Sequence, residues 1–378
     1  MATDFGKTIF MIVEPSYITP FWFSQSIKGL EDMVVKHKYI LAPVASVGEA
    51  DGSHALVIVG TNRNWLREVI QETRDRQLKP ILVGAIPEKY GEDVSGTMYG
   101  GKTSIEEMLG YFAACGKKHI ALVDINPNSS NDTTKYEAFL STSEQLGLDV
   151  SSSDVYFKDS ENNKKTEDFL ESINDYDGCI CSNDYAAAYV LSYAKDHGVR
   201  VPEDLFVAGL GDIMLCRYTD PSLTSATRSY YEAGQQVFNI WRNLYNNPDV
   251  ESVTVTMKSV IKARGSTGRK AVPEKVYKEF AVPEIGVDRF VPPVTKGTEK
   301  VKVLQDCLSQ CDFFDLKIIM GIINDESNEK LAENLEMASG TINYRLKKLY
   351  KNAGVASKSE FSRLIKKYLS VTSLDKRF

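Results

Sequence analysis

The chain has 378 residues, 43% of them hydrophobic and 25% charged, with six Cys and a net charge of −6. That length suits two or three domains. The apolar content excludes global disorder, no run of ~18 apolar residues offers a membrane span, and six Cys in so long a chain do not make a disulfide scaffold. The charge is uneven: residues 301–378 carry a net +3 and residues 1–300 a net −9, and within 341–378 ten Lys/Arg stand against Glu360 and Asp375. A basic end on an acidic chain points to a polyanion partner at that end, the alternative being a solvated basic helix face.

From the N-terminus, short apolar runs alternate with amphipathic stretches. The start has no basic segment leading into a long apolar run, so Ile9–Val13 reads as strand rather than signal peptide, and the protein is expected in the cytoplasm. Strands are predicted at Thr8–Val13, Tyr39–Val44, Ala55–Val59, Pro80–Val83, His119–Asp124, Asp154–Phe157, Gly178–Ser182 and Leu205–Gly209. Helices are predicted at Phe21–Lys36, Leu66–Arg76, Ile105–Ala114 and Tyr185–His197. Such alternation gives parallel sheets covered by helices, with ligands at the carboxyl ends of the strands. The alternation stops near Arg264. Residues 269–300 hold four of the 13 prolines and read as an extended linker. Beyond it the pattern is helical, marked by Phe314, Ile318, Ile319 and Ile322, then Leu331, Ala332 and Leu335, then Ile342, Leu346 and Leu349, then Phe361, Leu364 and Ile365.

One motif points to an enzyme. Gly96–Thr103 matches the phosphate-loop pattern G-x-x-x-x-G-K-[ST], in which turn amides cradle phosphates, Lys reaches the β/γ oxygens and Thr binds Mg²⁺. That motif needs a strand running straight into the loop. The nearest apolar run ends near Ala85, so the segment reads instead as a glycine-rich lead into the helix Ser104–Ala114. A nucleotide-binding enzyme is the alternative reading. The four His are scattered, Cys179 and Cys181 alternate onto one face of a strand and read as core, and Cys307 and Cys311 have no further ligands beside them for zinc. No metal, no cofactor and no catalytic residues are expected, and the chain does not read as an enzyme.

Residues 181–213, with Asn183-Asp184-Tyr-Ala-Ala187, Gly198-Val-Arg-Val-Pro202-Glu-Asp and Gly209-Leu-Gly-Asp212-Ile, resemble the effector domain of the LacI family. Asp220-Pro-Ser-Leu-Thr224, Arg264-Gly-Ser-Thr267 and Thr19-Pro-Phe-Trp22 extend the resemblance over about residues 8–268. It implies an α/β fold: a two-lobed, periplasmic-binding-protein-like (type I) sensor, with three crossovers and a small-molecule effector, a sugar or other small metabolite, between the lobes. It places Phe21, Trp22, Lys135, Phe157 and Asn183 at the effector, with Asp184 mainly structural. The family's N-terminal helix-turn-helix is not seen ahead of the first strand. At the family's ligand positions stand Thr97 for Asp, Lys135 for Arg and Gly211 for Asp, and Lys does not replace the Arg fork. These changes point to a more aromatic or less hydroxylated ligand, or to a pocket that binds nothing and takes its signal from a protein partner.

The C-terminal part supplies what the N-terminus lacks. Ser327–Leu335, the turn Glu336–Gly340 and Thr341–Leu349 resemble a helix-turn-helix, and Ala353-Gly-Val-Ala-Ser-Lys-Ser-Glu-Phe361 resembles the LuxR family; Asn343–Leu346 also resembles the PucR type. At 100° per residue Ile342, Leu346 and Leu349 share one face, while Tyr344, Lys347, Lys348 and Lys351 take the opposite one. Cations for phosphates beside polar groups for base edges suit a helix in the major groove. The expected DNA-binding residues are Thr341, Asn343, Tyr344, Arg345, Lys347, Lys348 and Lys351. The reading is thus a cytoplasmic bacterial transcriptional regulator, expected as a homodimer without membrane association: sensor 1–268, linker 269–300, and a small all-α helix-turn-helix domain 301–378 that binds duplex DNA.

Overall fold

The computed structural model describes residues 7–15, 21–158, 165–272 and 298–369. Most of the predicted linker, and Thr19 and Pro20 of the N-terminal motif, lie outside the described residues. In chain order the elements are β1 (Thr8–Val13), α1 (Phe21–His37), β2 (Ile40–Val44), β3 (Ala55–Val59), α2 (Arg63–Asp75), β4 (Lys79–Val83), β5 (Ser95–Met98) and α3 (Gly101–Ala114). Then come β6 (Ile120–Ile125), α4 (Ser130–Leu146), β7 (Val155–Phe157), α5 (Thr166–Glu171), β8 (Gly178–Cys181), α6 (Asp184–Asp196), β9 (Phe206–Gly211), β10 (Thr224–Thr227) and α7 (Tyr230–Asn246). After β11 (Thr254–Thr256) and β12 (Val260–Lys262) follow α8 (Glu299–Ser309), α9 (Phe313–Ile323), α10 (Asn328–Asn334), α11 (Ser339–Asn352) and α12 (Lys358–Tyr368).

Two six-stranded sheets form two lobes, in the orders β11-β5-β4-β3-β1-β2 and β12-β10-β9-β8-β6-β7. Every pairing is parallel except β10 with β12. Alternation along each strand feeds a core on each face. In the first sheet Ile9 and Met11 pack with α1 and α7, while Phe10 and Ile12 pack with α2. In the second, Cys179 and Cys181 join the α5–α6 side and Ile180 the α3–α4 side. The chain passes between lobes three times, after β5, after β10 and after β11, as the family resemblance implies.

Four strands escaped the sequence reading: β5, β10, β11 and β12. Each has only three or four residues; β5, β10 and β11 are rich in Ser, Thr or Gly, and β12 (Val-Ile-Lys) is too short to give an apolar run, so their pairing partners create them. The strand β5 also corrects the reading of the phosphate-loop look-alike. Its strand does lead straight into a helix, but Gly96 and Thr97 lie inside it, in register with Leu82 and Val83 on one side and Thr254 and Val255 on the other. Only Tyr99 and Gly100 separate Met98 from α3, so the segment is a crossover rather than a cradle of amides.

The C-terminal helices are not a separate ball. Helix α8, absent from the sequence reading, lies against the turn Met214–Arg217 and against α6, and α12 also reaches α6. One continuous apolar cluster joins Leu191 and Leu215 of the second lobe to Val301, Leu304 and Ile319. Within this contact the fully buried Gln305 accepts the Leu215 amide through Oε1 at 2.8 Å.

Helices α1 and α7 cross at glycines. A Cβ on Gly234 would stand 1.9 Å from the Ser26 carbonyl oxygen, and one on Gly29 1.9 Å from that of Tyr231. Forcing a methyl into so tight a crossing costs about 1–3 kcal/mol. Gly234→Ala is therefore expected to lower the urea midpoint of the whole chain by a corresponding amount; an unchanged midpoint contradicts backbone contact between the helices.

Candidate functional site

The carboxyl ends of the strands of both sheets face one another across a cavity of about 140 Å³. Glu14 follows β1, Thr61 and Asn62 follow β3, and Tyr99 follows β5 on the first lobe. Asn126 follows β6, Lys158 follows β7, Ser182 and Asn183 follow β8, and Arg228 follows β10. On the side away from the crossovers the lobes are already bonded: the Ser130 amide donates to the Thr61 carbonyl at 3.0 Å and the Arg63 amide to the Asn128 carbonyl at 3.0 Å. Asn131 Nδ2 donates to the Gly84 carbonyl at 3.0 Å, and Lys89 pairs with Glu137 at 2.8 Å. The cleft is closed.

One wall is aromatic. Trp22 and Tyr99 have ring centroids 5.8 Å apart, Tyr99 and Tyr230 5.1 Å, and Phe21 and Tyr230 6.4 Å. Trp22 lies over Gly84, where φ is +95° and a Cβ would stand 2.4 Å from the indole. The Tyr99 hydroxyl, bonded to Ser26 Oγ at 2.9 Å, is pushed up by burial and stays neutral.

The opposite wall is charged. Lys135 Nζ donates to Asp132 Oδ1 at 2.6 Å and to the Ser182 carbonyl at 2.8 Å; burial lowers its pKa and Asp132 opposes that. Lys158 pairs with Asp124 at 3.1 Å, both almost fully buried; burial raises the Asp124 pKa, Lys158 opposing. On the first lobe, beside the aromatic wall, Glu14 Oε2 accepts the Thr61 and Asn62 amides at 2.8 and 3.1 Å, and burial raises its pKa against those bonds. Asn183 caps α6 by accepting the Ala186 amide at 3.0 Å, while its Nδ2 donates to Asp124 Oδ2 at 3.0 Å. Asp184, next in the chain, accepts from Ser225 Oγ at 2.6 Å and from the Ile213 amide at 3.0 Å; burial pushes it up to about 6 against both bonds.

Of the residues expected at the effector, Phe21, Trp22, Lys135 and Asn183 line this cavity. Phe157 does not: it is buried in the core beside Tyr136, 6.2 Å between ring centroids, because strand alternation turns it away from the cleft. Its neighbour Lys158 lies on the wall instead. Lys158, Glu14, Tyr99, Tyr230 and Arg228 were missed by sequence reasoning. The strand-end rule applied to β1 and β7 reaches Glu14 and Lys158, whereas Arg228 follows a strand with no apolar signature.

Residues 109–267 match the profile of the periplasmic binding protein-like domain. The chain is similar to catabolite control protein A of Staphylococcus epidermidis, 24% identical over 267 residues, which is 66% of this chain and 79% of that protein. It is also similar to the HTH-type transcriptional repressor PurR of Haemophilus influenzae, 31% identical over 133 residues, 33% of this chain and 38% of that repressor. In fold it is similar to a regulatory protein of LacI family from Chloroflexus aggregans, with a TM-score of 0.58 and 15% identity over 70% of this chain and 99% of that one. The chain carries a periplasmic-binding-protein-like domain, and its homologues are LacI-family regulators. The matched profile ends at residue 267, well before α8.

Beyond the periplasmic-binding-protein-like part, α10 is capped by Ser327 Oγ, which accepts the Lys330 amide at 3.2 Å, and packs against α11. Ile342, Leu346 and Leu349 are buried, while Thr341, Asn343, Lys347, Lys348, Lys351 and, at 71%, Tyr344 are exposed. Arg345 departs from expectation. Its Nη1 pairs with Asp312 at 2.9 Å and with the fully buried Asp315 at 2.6 Å, so it holds α11 to α9 rather than facing outward. Lys348 also leans to Asp315, at 3.5 Å.

The raised pKa of Asp184 has a pH signature. A buried acid that titrates at about 6 instead of 3.8 adds stability that is complete below pH 3.8 and lost as pH rises through 6. Between pH 4 and 6.5 wild type is expected to lose ground to Asp184→Asn in urea unfolding, on the order of 2–3 kcal/mol across the interval. A stability difference between the two that is constant over that range contradicts the burial account.

Proposed function

We propose that this protein is a bacterial transcriptional regulator in which residues 1–268 sense a small molecule and residues 301–378 bind duplex DNA through α10 and α11. The observation that carries the reading is α11 itself. Its apolar residues are spent on the core while Thr341, Asn343, Tyr344, Lys347 and Lys351 stand outward together, on a chain whose remaining charge is acidic. A helix in a major groove needs that division of labour: cations for phosphate oxygens, polar and aromatic edges for bases. The LuxR-like pattern in α11–α12 and the regulator homologues support the same conclusion. A homodimer formed through the sensor would present two heads to one site and raise apparent affinity without a new contact.

The closed cleft supports the sensing half. Aromatic rings on one side, fixed charges and amides on the other, in an enclosed cavity at the strand ends, is the arrangement of a small-ligand site. The shared core between α8 and the second lobe gives a change at the cleft a direct route to the DNA-binding end.

Gel-shift titrations of full-length protein on duplex from its own promoter region, at several salt concentrations, test this. Lys347→Ala and Lys351→Ala are each expected to weaken binding to all sequences alike and to reduce the log–log salt slope by ~0.9. Tyr344→Ala or Asn343→Ala is expected to change which sequence is preferred, by about 1–3 kcal/mol per lost base contact. Arg345→Ala should instead lower the melting temperature, since Asp315 loses its nearest counter-charge. Full-length protein that binds no such duplex at low salt, or Lys347 and Lys351 variants that bind as wild type, removes α11 as a DNA reader.

A further inference from the structure

We propose that the ligand of the cleft carries an anionic group, a carboxylate or a phosphate, held by Arg228. This rests on reading the cleft as an effector site and goes on to name the chemistry of what it takes.

Arg228 is 8% exposed and stands on the cavity wall where the chain leaves β10 for the first lobe. Its Nε and Nη2 both donate to one neutral oxygen, Ser104 Oγ, at 3.1 and 2.8 Å. The Tyr230 hydroxyl is its other neighbour of hydrogen-bonding type. A guanidinium has five N–H donors and keeps its charge when buried. No Asp or Glu among the described residues pairs with it. The other buried cations of the cleft are matched, Lys135 by Asp132 and Lys158 by Asp124. The two remaining wall carboxylates are committed elsewhere: Asp184 to Ser225 and the Ile213 amide, Glu14 to the Thr61 and Asn62 amides.

A buried cation without a counter-ion is costly to fold around. One whose free N–H groups border an enclosed cavity can recover that cost from an incoming carboxylate or phosphate, whose paired oxygens fit the guanidinium fork. Trp22, Tyr99 and Tyr230 face the same space and offer ring faces to a flat part of the ligand. The cavity, about 140 Å³, is of the size that admits a single aromatic ring.

The test uses full-length protein and calorimetric titration with benzoate, phenyl phosphate and, as the neutral counterpart, benzyl alcohol, on wild type, Arg228→Gln and Arg228→Lys. Gln retains a donor for Ser104, and circular dichroism melts establish that each variant folds. Wild type is expected to bind benzoate or phenyl phosphate at least tenfold more tightly than benzyl alcohol, and whichever anion wins identifies the group. Arg228→Gln should lose that preference with benzyl alcohol unchanged within twofold, and Arg228→Lys should keep part of it. Should Arg228→Gln fail to fold, the wild-type preference for anion over neutral ligand decides alone. Neutral compounds, benzyl alcohol or sugars, binding wild type as tightly as the anions, or anion affinity unchanged in Arg228→Gln, overturn the proposal. Arg228 is then only a brace between crossovers, and the sensor reading stands. Saturable binding of nothing, neutral sugars included, overturns the sensor reading and this inference together.

Discussion

The buried carboxylate of Asp184 joins parts of the molecule that the chain keeps far apart. It opens α6, takes the hydroxyl of Ser225 from β10 and takes the amide of Ile213 beyond β9. Gly209 is required for it, since a Cβ there would stand 2.3 Å from Oδ1. Two residues after Ile213, the Leu215 amide is held by Gln305 of α8. The wall of the cleft and the seat of the C-terminal helices are therefore consecutive segments of one turn, fixed at one end by a carboxylate and at the other by a buried amide side chain. Buried polar networks of this kind rigidify a structure when every member is satisfied, and this one ties Ile213 to Asp184 and Leu215 to α8.

A second network governs how the lobes meet. Ser104 Oγ, at the start of the first crossover, is bonded to Arg228 on the second and to Ser259 Oγ on the third at 2.9 Å. Across the cleft, the backbone bonds Ser130–Thr61 and Arg63–Asn128 shut the far rim. The rim bonds and the Ser104 cluster are few, polar and close to the cavity.

Parallel sheets explain why charge collects here at all. Their strands are buried on both faces and are almost wholly apolar, as Ala55–Val59 and Ile120–Val123 illustrate. The charged residues of the cleft stand where those strands end. Two sheets with their carboxyl ends opposed bring those residues together, and burial then shifts Lys135, Asp124, Glu14 and Asp184 towards their neutral forms while partners resist.

The alternation of apolar runs with amphipathic segments, and the switch to a purely helical pattern after a proline-rich stretch, were legible in the sequence because period and composition are local properties. So was the outward face of α11, and four of the five residues expected at the effector do line the cleft: Phe21 and Trp22 open α1, Asn183 follows β8 and Lys135 lies in the second turn of α4. Strands β5, β10, β11 and β12 were not legible, since three or four residues, mostly Ser, Thr and Gly in the first three and Val-Ile-Lys in β12, become strand only by finding a neighbour. Phe157 and Arg345 were misplaced for a related reason: the direction of a side chain within a short strand depends on register, and an arginine on a basic helix face turns inward when a buried carboxylate, here Asp315, waits beside it. The sequence by itself determined the elements and their apolar faces. Only the tertiary structure decided which charges meet, that α8 shares a core with the sensor, and that Arg228 is buried with no Asp or Glu partner among the described residues, because pairing between residues tens of positions apart leaves no periodic trace along the chain.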